Sequence, residues 1–408
     1  MGCLPDYTLD DEIISLRQKT AQFAREELKP YAAEWDRMAD ADPVAAFPME
    51  TLRRASRLGL RTLTVPKEMG GEGMGILGHC VLLEELFQGD AGFASVLHQG
   101  WKVAKTLCLY TTEAQRKEFL PRFMDDETGA LGMARTEPDY GTDNFLPYTD
   151  PAGGMKFSAK RKGKGWVLNG TKHFIACGAI STVNVLVTRT NPKAPVNEGA
   201  TLFLTHSDLP GFRRGHVHKK MGARLMMNAE LIYENVEVPD EWRLSEVDKG
   251  YAFGRRQFGR HMPTTATFSV GVGRAAFEDA KEHARNRSAA GVPLLQDEGV
   301  RRLLADMYIS ISAARDVNWR AAWHADTAAG DEEYDPKEGL RAALFSSSMV
   351  QAVCNNAMSV LGGHGDATDL PFGRHLRDAM MCYHIDGMDN MNPLKLGGML
   401  ASEEAAHL

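Results

Sequence analysis

Trp166-Val-Leu-Asn-Gly170-Thr-Lys-His-Phe-Ile175 sets the reading of the whole chain. Strand-forming residues stand on both sides of Asn169-Gly170. Asn-Gly is the dipeptide that most readily turns one strand back on another, so a hairpin is predicted here. Farther along, Val183, Val185 and Val187 alternate with other residues, as do Leu231 and Tyr233 and, after a predicted irregularity, Val236 and Val238. A period of two is the mark of a strand. Lys160–Gly165 and Asn191–Gly199 read as loops. Residues 131–240 are therefore expected to form a compact β domain, sandwich or barrel-like.

On both sides of it the period becomes helical. Upstream, Ile13, Leu16, Thr20, Phe23, Ala24 and Leu28 recur at steps of three and four, which lines them up on one helix face. Thr8 and Asp11 have the spacing of a capping box, and Pro30 interrupts the run. A Gly-rich loop is expected from Val65 to Gly78, a helix from His79 to Phe87, and another from Thr112 to Phe123 with Thr111 or Thr112 at its cap. Downstream, helical segments run over 250–290, 296–328 and 337–361, with shorter ones over Arg374–Cys382 and Pro393–Ala401. Three long helices and a short one suit a four-helix bundle. The expected fold class is α+β, with a helical domain over 1–130, the β domain over 131–240 and a helical bundle over 241–408. There is no βαβ alternation.

Composition narrows the function classes. The 408 residues carry 47 Lys and Arg against 54 Asp and Glu, a net charge of −7. A mildly acidic chain lacks the electrostatic footprint of a nucleic-acid binder. Apolar content of 43% and charged content of 25% are those of an ordinary folded protein. The six cysteines (Cys3, Cys80, Cys108, Cys177, Cys354 and Cys382) form no C-x-x-C and are too sparse for a disulfide scaffold. A reducing, cytoplasmic setting is expected. The start, MGCLPDYTLDDE, has neither a basic n-region nor an apolar h-region, and Asp6 stands where a myristoylation signal needs Ser or Thr. No apolar run is long enough for a membrane span.

Several motifs match by letter only. Gly73-Met-Gly75-Ile-Leu-Gly78 fits G-x-G-x-x-G, but no βαβ unit surrounds it. Gly271-Val-Gly273-Arg-Ala-Ala276 lies in a helical run and reads as close helix packing. His216-Val-His218 could put two imidazoles on one strand face, with no third metal ligand nearby. No metal site is expected.

Two other segments carry chemistry together. The first is Met133-Ala-Arg-Thr136-Glu137-Pro138-Asp-Tyr-Gly141-Thr142-Asp143. The second is Leu361-Gly-Gly363-His-Gly365, followed by Arg377-Asp378-Ala379 and Ile385-Asp386-Gly387. Hydroxyls at Thr136 and Thr142 and the amides of a turn at Gly141 suit the polar edge or phosphate of a ligand. Gly362, Gly363 and Gly365 let a backbone come close to a ligand. Arg287 offers a forked donor for phosphate. With the helix–strand–helix layout, these segments resemble the acyl-CoA dehydrogenase family, whose motifs read T-E-P-x-x-G-S-D and G-G-x-G…R-D-A…E-G-T. The resemblance extends to Val65-Pro-Lys-Glu-Met-Gly-Gly71, Asn169-Gly-Thr-Lys172, Glu237-Val-Pro239, Gly291-Val-Pro293 and Leu304-Ala-Asp-Met307, nearly the whole chain.

The resemblance implies FAD, an acyl-CoA substrate, an electron-transfer flavoprotein as acceptor and a homotetramer. Met133, Thr136, Gly141 and Thr142 would border the flavin, and Met388 would lie on the cofactor side. Phe174 falls where the family sets an aromatic against the ring. Ala176 falls where many members have a Thr that contacts N5. Arg287, Gly362, Gly363 and Gly365 would reach the FAD of a neighbouring subunit. Arg256 and Arg260 would hold coenzyme A, with Gly387 on the substrate side. The family's base is a Glu before Gly-Thr, and Asp386 takes its place. Some members carry the base on the first long helix of the C-terminal domain, but Arg260-His261-Met262 supplies no carboxylate there. The expected chemistry is removal of the α-proton of a thioester, bulky or alicyclic acyl groups included, with the β-hydrogen leaving as hydride. Asp is a methylene shorter than Glu, about 1.5 Å. An Asp in this position also resembles nitroalkane oxidase, so a flavin-dependent oxidase or monooxygenase acting on a non-thioester carbon acid is the alternative. Asp90 is a second acid–base candidate.

Overall fold

The computed structural model describes residues 8–141, 150–330, 333–388 and 390–406, with the side chains of 255–258 and 403–406 outside the description. Thr142 and the Arg256 side chain thus lie outside the described residues.

The chain begins with helices α1 (Asp11–Phe23), α2 (Ala32–Ala41), α3 (Met49–Arg57), α4 (Ile76–Phe87), α5 (Ala91–Leu109), α6 (Glu113–Phe119) and α7 (Pro121–Met124). The cap of α1 is Asp10 rather than Thr8: the Asp10 carboxylate accepts the Ile13 N–H at 2.7 Å. Ahead of Pro30, α1 gives way to a π turn over Ala24–Leu28, the interruption expected there. Thr112 and Gln115 form the reciprocal capping box of α6.

The central part holds β1 (Ala130–Ala134), β2 (Ser158–Lys162), β3 (Gly165–Ile175), β4 (Ser181–Arg189), β5 (Ala200–His206), β6 (Phe212–Val217) and β7 (Ala229–Pro239). They make one seven-stranded sheet in the order β1-β4-β2-β3-β7-β6, with β5 paired to β4. The predicted hairpin at Asn169-Gly170 is corrected. β3 runs unbroken through both residues, and the turn lies between β2 and β3, where Gly163 has φ 57°. Asn169-Gly170 instead marks a bulge: the register with β7 shifts between Leu168 and Gly170. Asn235 opposite takes φ 53°, and its N–H is accepted by Asn169 Oδ1 at 2.8 Å. The residue types that suit a tight turn suit a bulge equally. The sheet shares its core with the first part of the chain, because Val103, Leu107, Phe119 and Phe123 pack with Leu131, Val183 and Leu231.

The C-terminal part comprises α8 (Gly250–Phe258), α9 (Met262–Asn286), a two-stranded ribbon of β8 (Ser288–Ala289) and β9 (Val292–Pro293), α10 (Glu298–Thr327), α11 (Pro336–Leu361), α12 (Phe372–His384) and α13 (Met391–Ala406). α9, α10, α11 and α12 form the bundle, and α4 is laid into it with all twelve of its residues buried. α4 starts at Ile76, three residues before the predicted His79. The reason is remote: Asp326, near the end of α10, accepts the N–H groups of Ile76 and Leu77 at 2.7 and 2.8 Å. A carboxylate placed there satisfies free amides and the positive end of the helix dipole together. A Cβ on Gly271 would collide with Phe87, so this glycine permits the close approach of α9 to α4.

Glu84 of α4 is buried, and Arg274 of α9 and Arg315 of α10 converge on it at 3.1 and 2.6 Å. Burial alone would push the Glu84 carboxyl up. The hydrogen bonds and charge of the two arginines outweigh it and leave the group below the usual carboxylate range. The pairing ties three helices, and if Glu84 is neutralised Arg274 keeps Glu85 at 2.9 Å while Arg315 loses the carboxylate it meets at 2.6 Å. Glu84→Gln is therefore expected to lower unfolding free energy by about 2–3 kcal/mol, somewhat less than a fully buried pair because the arginines keep some solvent. Urea denaturation checks this, and an unchanged midpoint would refute it.

Candidate active site

The site is positioned by α12, which is fastened to all three parts of the chain. Arg374 pairs with Asp90 at 3.2 Å. Arg377 reaches Asp36 of α2 at 2.5 Å and donates to the Met221 carbonyl at 2.6 Å. Asp378 accepts the Ala223 N–H at 2.7 Å. A Cβ on Gly222 would collide with the Arg377 carbonyl, so loop and helix are in direct contact. Asp90 is the N-cap of α5, accepting the Phe93 N–H at 2.8 Å, and so its charge is committed to a helix end.

Past α12 the backbone turns sharply. Asp386 takes φ 48°, ψ 26° and Gly387 takes φ 76°. This left-handed region is uncommon for residues other than Gly, Asn and Asp. Asn392 donates from Nδ2 to the Asp386 carbonyl at 2.9 Å. Met388 is buried against Ala266, Ala342 and Ala343, and Gly387 is buried beside it. The Asp386 side chain is exposed in the single chain, with Oδ2 accepting from the buried Thr265 hydroxyl of α9 at 3.3 Å.

A second group lies on the sheet. Met133 is on β1, half-buried. Thr136 is knitted to β3, since its hydroxyl donates to the His173 carbonyl and its own carbonyl accepts the His173 N–H at 2.8 Å. Next to it, Glu137 accepts Lys172 Nζ at 2.8 Å and the N–H groups of Lys156 and Phe157. The Glu of Thr-Glu-Pro and the Lys of Asn-Gly-Thr-Lys are thus two halves of one buried pair. Burial lowers the Lys172 pKa, and Glu137 opposes that shift. Phe174 has φ 59° and is 48% exposed, its ring stacked on His218 with centroids 4.2 Å apart. Ala176 follows, and Gly141 is half-buried at the turn.

A third group is far from the first. Arg287 is exposed at the C-terminal end of α9. Gly362, with φ 57°, and Gly363 stand in open space, where an added Cβ would meet nothing within 4 Å, while Gly365 is buried against Met358. The His283 and His364 rings, 6.3 Å apart, bring the two stretches to one end of the bundle. Thr265, which holds Asp386, is near the other end. At 1.5 Å per residue the span from Thr265 to Arg287 is about 30 Å. An exposed aromatic ring, small neighbours, open glycines and a forked cation are a donor set that fits an isoalloxazine and a pyrophosphate.

Arg260, read as a coenzyme A ligand, donates to the carbonyls of Ala325 and Ala328 at 2.9 and 3.2 Å and lies over the Tyr334 ring. Its guanidinium closes the C-terminal end of α10.

The comparisons with known proteins agree with this layout. The chain matches the acyl-CoA dehydrogenase N-terminal domain over residues 10–127, the middle domain over 132–236 and the C-terminal domain over 248–397. The chain belongs to the acyl-CoA dehydrogenase family. It is 30% identical over 387 residues to the mitochondrial short-chain specific acyl-CoA dehydrogenase of Mus musculus, covering 94% of this chain and 89% of that protein. The butyryl-CoA dehydrogenase of Megasphaera elsdenii superposes with a TM-score of 0.86 at 27% identity, covering 97% of this chain and all of that one. A chain solved in work on the electron transferring flavoprotein of Acidaminococcus fermentans gives 0.85 at 25% identity, over 96% and 97% of the two chains. The protein is an oxidoreductase of this family, and flavin-dependent dehydrogenation of acyl-CoA is what family and fold support.

Within this acyl-CoA dehydrogenase, sequence reading missed Thr265 and three buried histidines: His79 of α4, His98 of α5 and His261 just before α9. His79 Nε2 and His98 Nδ1 are 3.0 Å apart. No local pattern joins residues drawn from three helices; only the turn spacing of His261 and Thr265 was there to be read. Among the described residues no group of three or more His, Cys, Asp or Glu is arranged for a metal ion. No helix among them is long and apolar enough to cross a membrane.

The α12 clamp has a pH signature. Burial pushes the Asp378 carboxyl up to about 6, against the pull of Arg374. The folded state then holds a proton that the unfolded chain, with an ordinary carboxyl near 4, has already lost. The contribution of this group to stability is full below about pH 4 and is lost as pH rises through about 6. Asp378→Asn is expected to remove that downward slope. Unfolding free energies of the two proteins between pH 4 and 7 check it, and parallel curves would refute it.

Proposed function

We propose that the protein is an FAD-dependent acyl-CoA dehydrogenase in which Asp386 takes the α-proton of the thioester. The observation that carries the reading is Asp386 itself, an acid where the motif resemblance puts the family's base, presented on a left-handed turn and bonded to Thr265. An α C–H is a weak acid, so it needs a carboxylate within hydrogen-bond reach. FAD, when bound, supplies the acceptor for the β-hydrogen. Met133, Thr136, Gly141, Thr142, Phe174, Ala176 and Met388 would border it, and Gly387 would face the substrate. The Thr265 hydroxyl fixes the rotamer of Asp386, which matters because misplacement by about 1 Å can cost on the order of a hundredfold in rate. The buried contacts of Met388 and the Asn392 bond hold the turn that aims it.

The reading includes a homo-oligomer, a tetramer by family resemblance. Arg287, Gly362, Gly363 and Gly365 lie too far from Asp386 to serve the same active site, so they would hold the FAD of a neighbouring copy. An electron-transfer flavoprotein is the proposed acceptor and the cytoplasm the proposed location. Coenzyme A would be held by Arg256 and Arg260.

Asp386→Asn is expected to keep its FAD and to slow anaerobic bleaching of the flavin by an acyl-CoA by about a thousandfold. Turnover within tenfold of the parent would remove Asp386 from the mechanism. Rapid peroxide formation in air, with a nitroalkane and no thioester, would replace the dehydrogenase reading by the oxidase one. Arg287→Ala is expected to leave gel filtration with less FAD per chain, and undiminished occupancy would refute its role.

A further inference from the structure

We infer that His79, His98 and His261 form an oxygen-recognising subsite for the acyl chain, so that the preferred substrate is an acyl thioester carrying a hydroxyl or carboxylate oxygen rather than a plain alkyl chain. The inference rests on the acyl thioester reading above and names the substrate class for that same site.

The first observation is an unmet hydrogen bond. His79 is fully buried, its Nε2 is shared with His98 Nδ1 at 3.0 Å, and its Nδ1 has no partner. Buried polar atoms are nearly always paired, so one that is not points to a missing ligand or water. A neutral imidazole has one donor and one acceptor nitrogen. If His79 donates to His98, its Nδ1 is a bare acceptor. If it accepts, Nδ1–H is a bare donor. A hydroxyl satisfies either tautomer, a carboxylate satisfies the second, and a methyl satisfies neither.

The second observation is the charge around the cluster. Burial, followed by the nearby Lys105 and Lys102, holds His79 and His261 well below the ordinary imidazole range. Burial, then His79, Lys102 and His261, does the same for His98. The rings are therefore neutral hydrogen-bonding groups near two ammonium side chains. Asp326 is the carboxylate that faces Lys105. Such surroundings favour an oxygen with partial or full negative charge.

The third observation is position. His261, at the cap of α9, and Thr265 and Phe268 on that helix follow at helical spacing. Thr265 holds Asp386, and the Phe268 ring meets the His98 ring edge-on at 4.9 Å. Side chains three or four apart on a helix are about 5–6 Å from one another. His261 is thus one helical turn from the residue that holds the proposed base, and the ring contacts from Phe268 to His98 and on to His79 continue the cluster away from it. An alkyl group would leave the His79 Nδ1 unmatched, whereas an oxygen would satisfy it.

The test uses the FAD-loaded protein with matched pairs of coenzyme A thioesters: 4-hydroxybutanoyl against butanoyl, and glutaryl against pentanoyl. Anaerobic bleaching rates and dissociation constants from calorimetry are measured for each. An oxygenated thioester is expected to be favoured at least about tenfold over its alkyl match, and His79→Leu should bring that ratio close to one. The hydroxyl and carboxylate arms show which oxygen is taken. His98→Leu is the second variant, with FAD content as the check on folding. An alkyl preference in the parent, or a ratio unchanged in both variants, would overturn the subsite. Bleaching by all four without preference sinks the subsite and spares the dehydrogenase reading. Selective binding without bleaching does the reverse.

Discussion

The ion pairs of α12 are the constraint on which the rest of the site depends. Arg374, Arg377 and Asp378 reach, in turn, the cap of α5, a carboxylate of α2 and an amide of the loop before β7. Asp90 and Asp378 are buried, so neither can trade its partner for water at low cost. A helix held from three directions has little freedom to tilt, and the turn that presents Asp386 begins where that helix ends. The Arg-Asp-Ala motif acts through this grip on the neighbouring elements.

The buried pairs elsewhere follow the same logic. Glu84 gathers Arg274 and Arg315, and Lys172 meets Glu137 beneath the Thr-Glu-Pro turn. In each, desolvation of the charge is offset by more than one hydrogen bond, and each joins stretches far apart in the chain. These pairs set the relative placement of helices and sheet that apolar packing alone would leave looser.

Much of this was legible in the sequence. Helical and strand periods gave the order of the three parts, because alternation and three-four spacing survive in any context that buries one face. The errors were at places governed by a remote partner. The start of α4 depends on Asp326, some 250 residues away, and Asn169-Gly170 became a bulge because Asn235 lies opposite. In the candidate site, Asp386 was proposed from its neighbours in the motif. Thr265 and the histidines could not, since their meeting depends on three helices crossing. Arg260 was read by charge and position, yet two carbonyls at the end of α10 already occupy much of its fork.

The left-handed backbone at Asp386 has a consequence for what acid can stand there. Such a conformation is easiest for glycine, asparagine and aspartate, whose short side chains do not crowd the neighbouring carbonyl. A glutamate would bring an extra methylene and a less compliant backbone preference at once. The short acid at 386 is thus matched to the bend that carries it, and replacing it by glutamate must reshape the corner as well as swap the group.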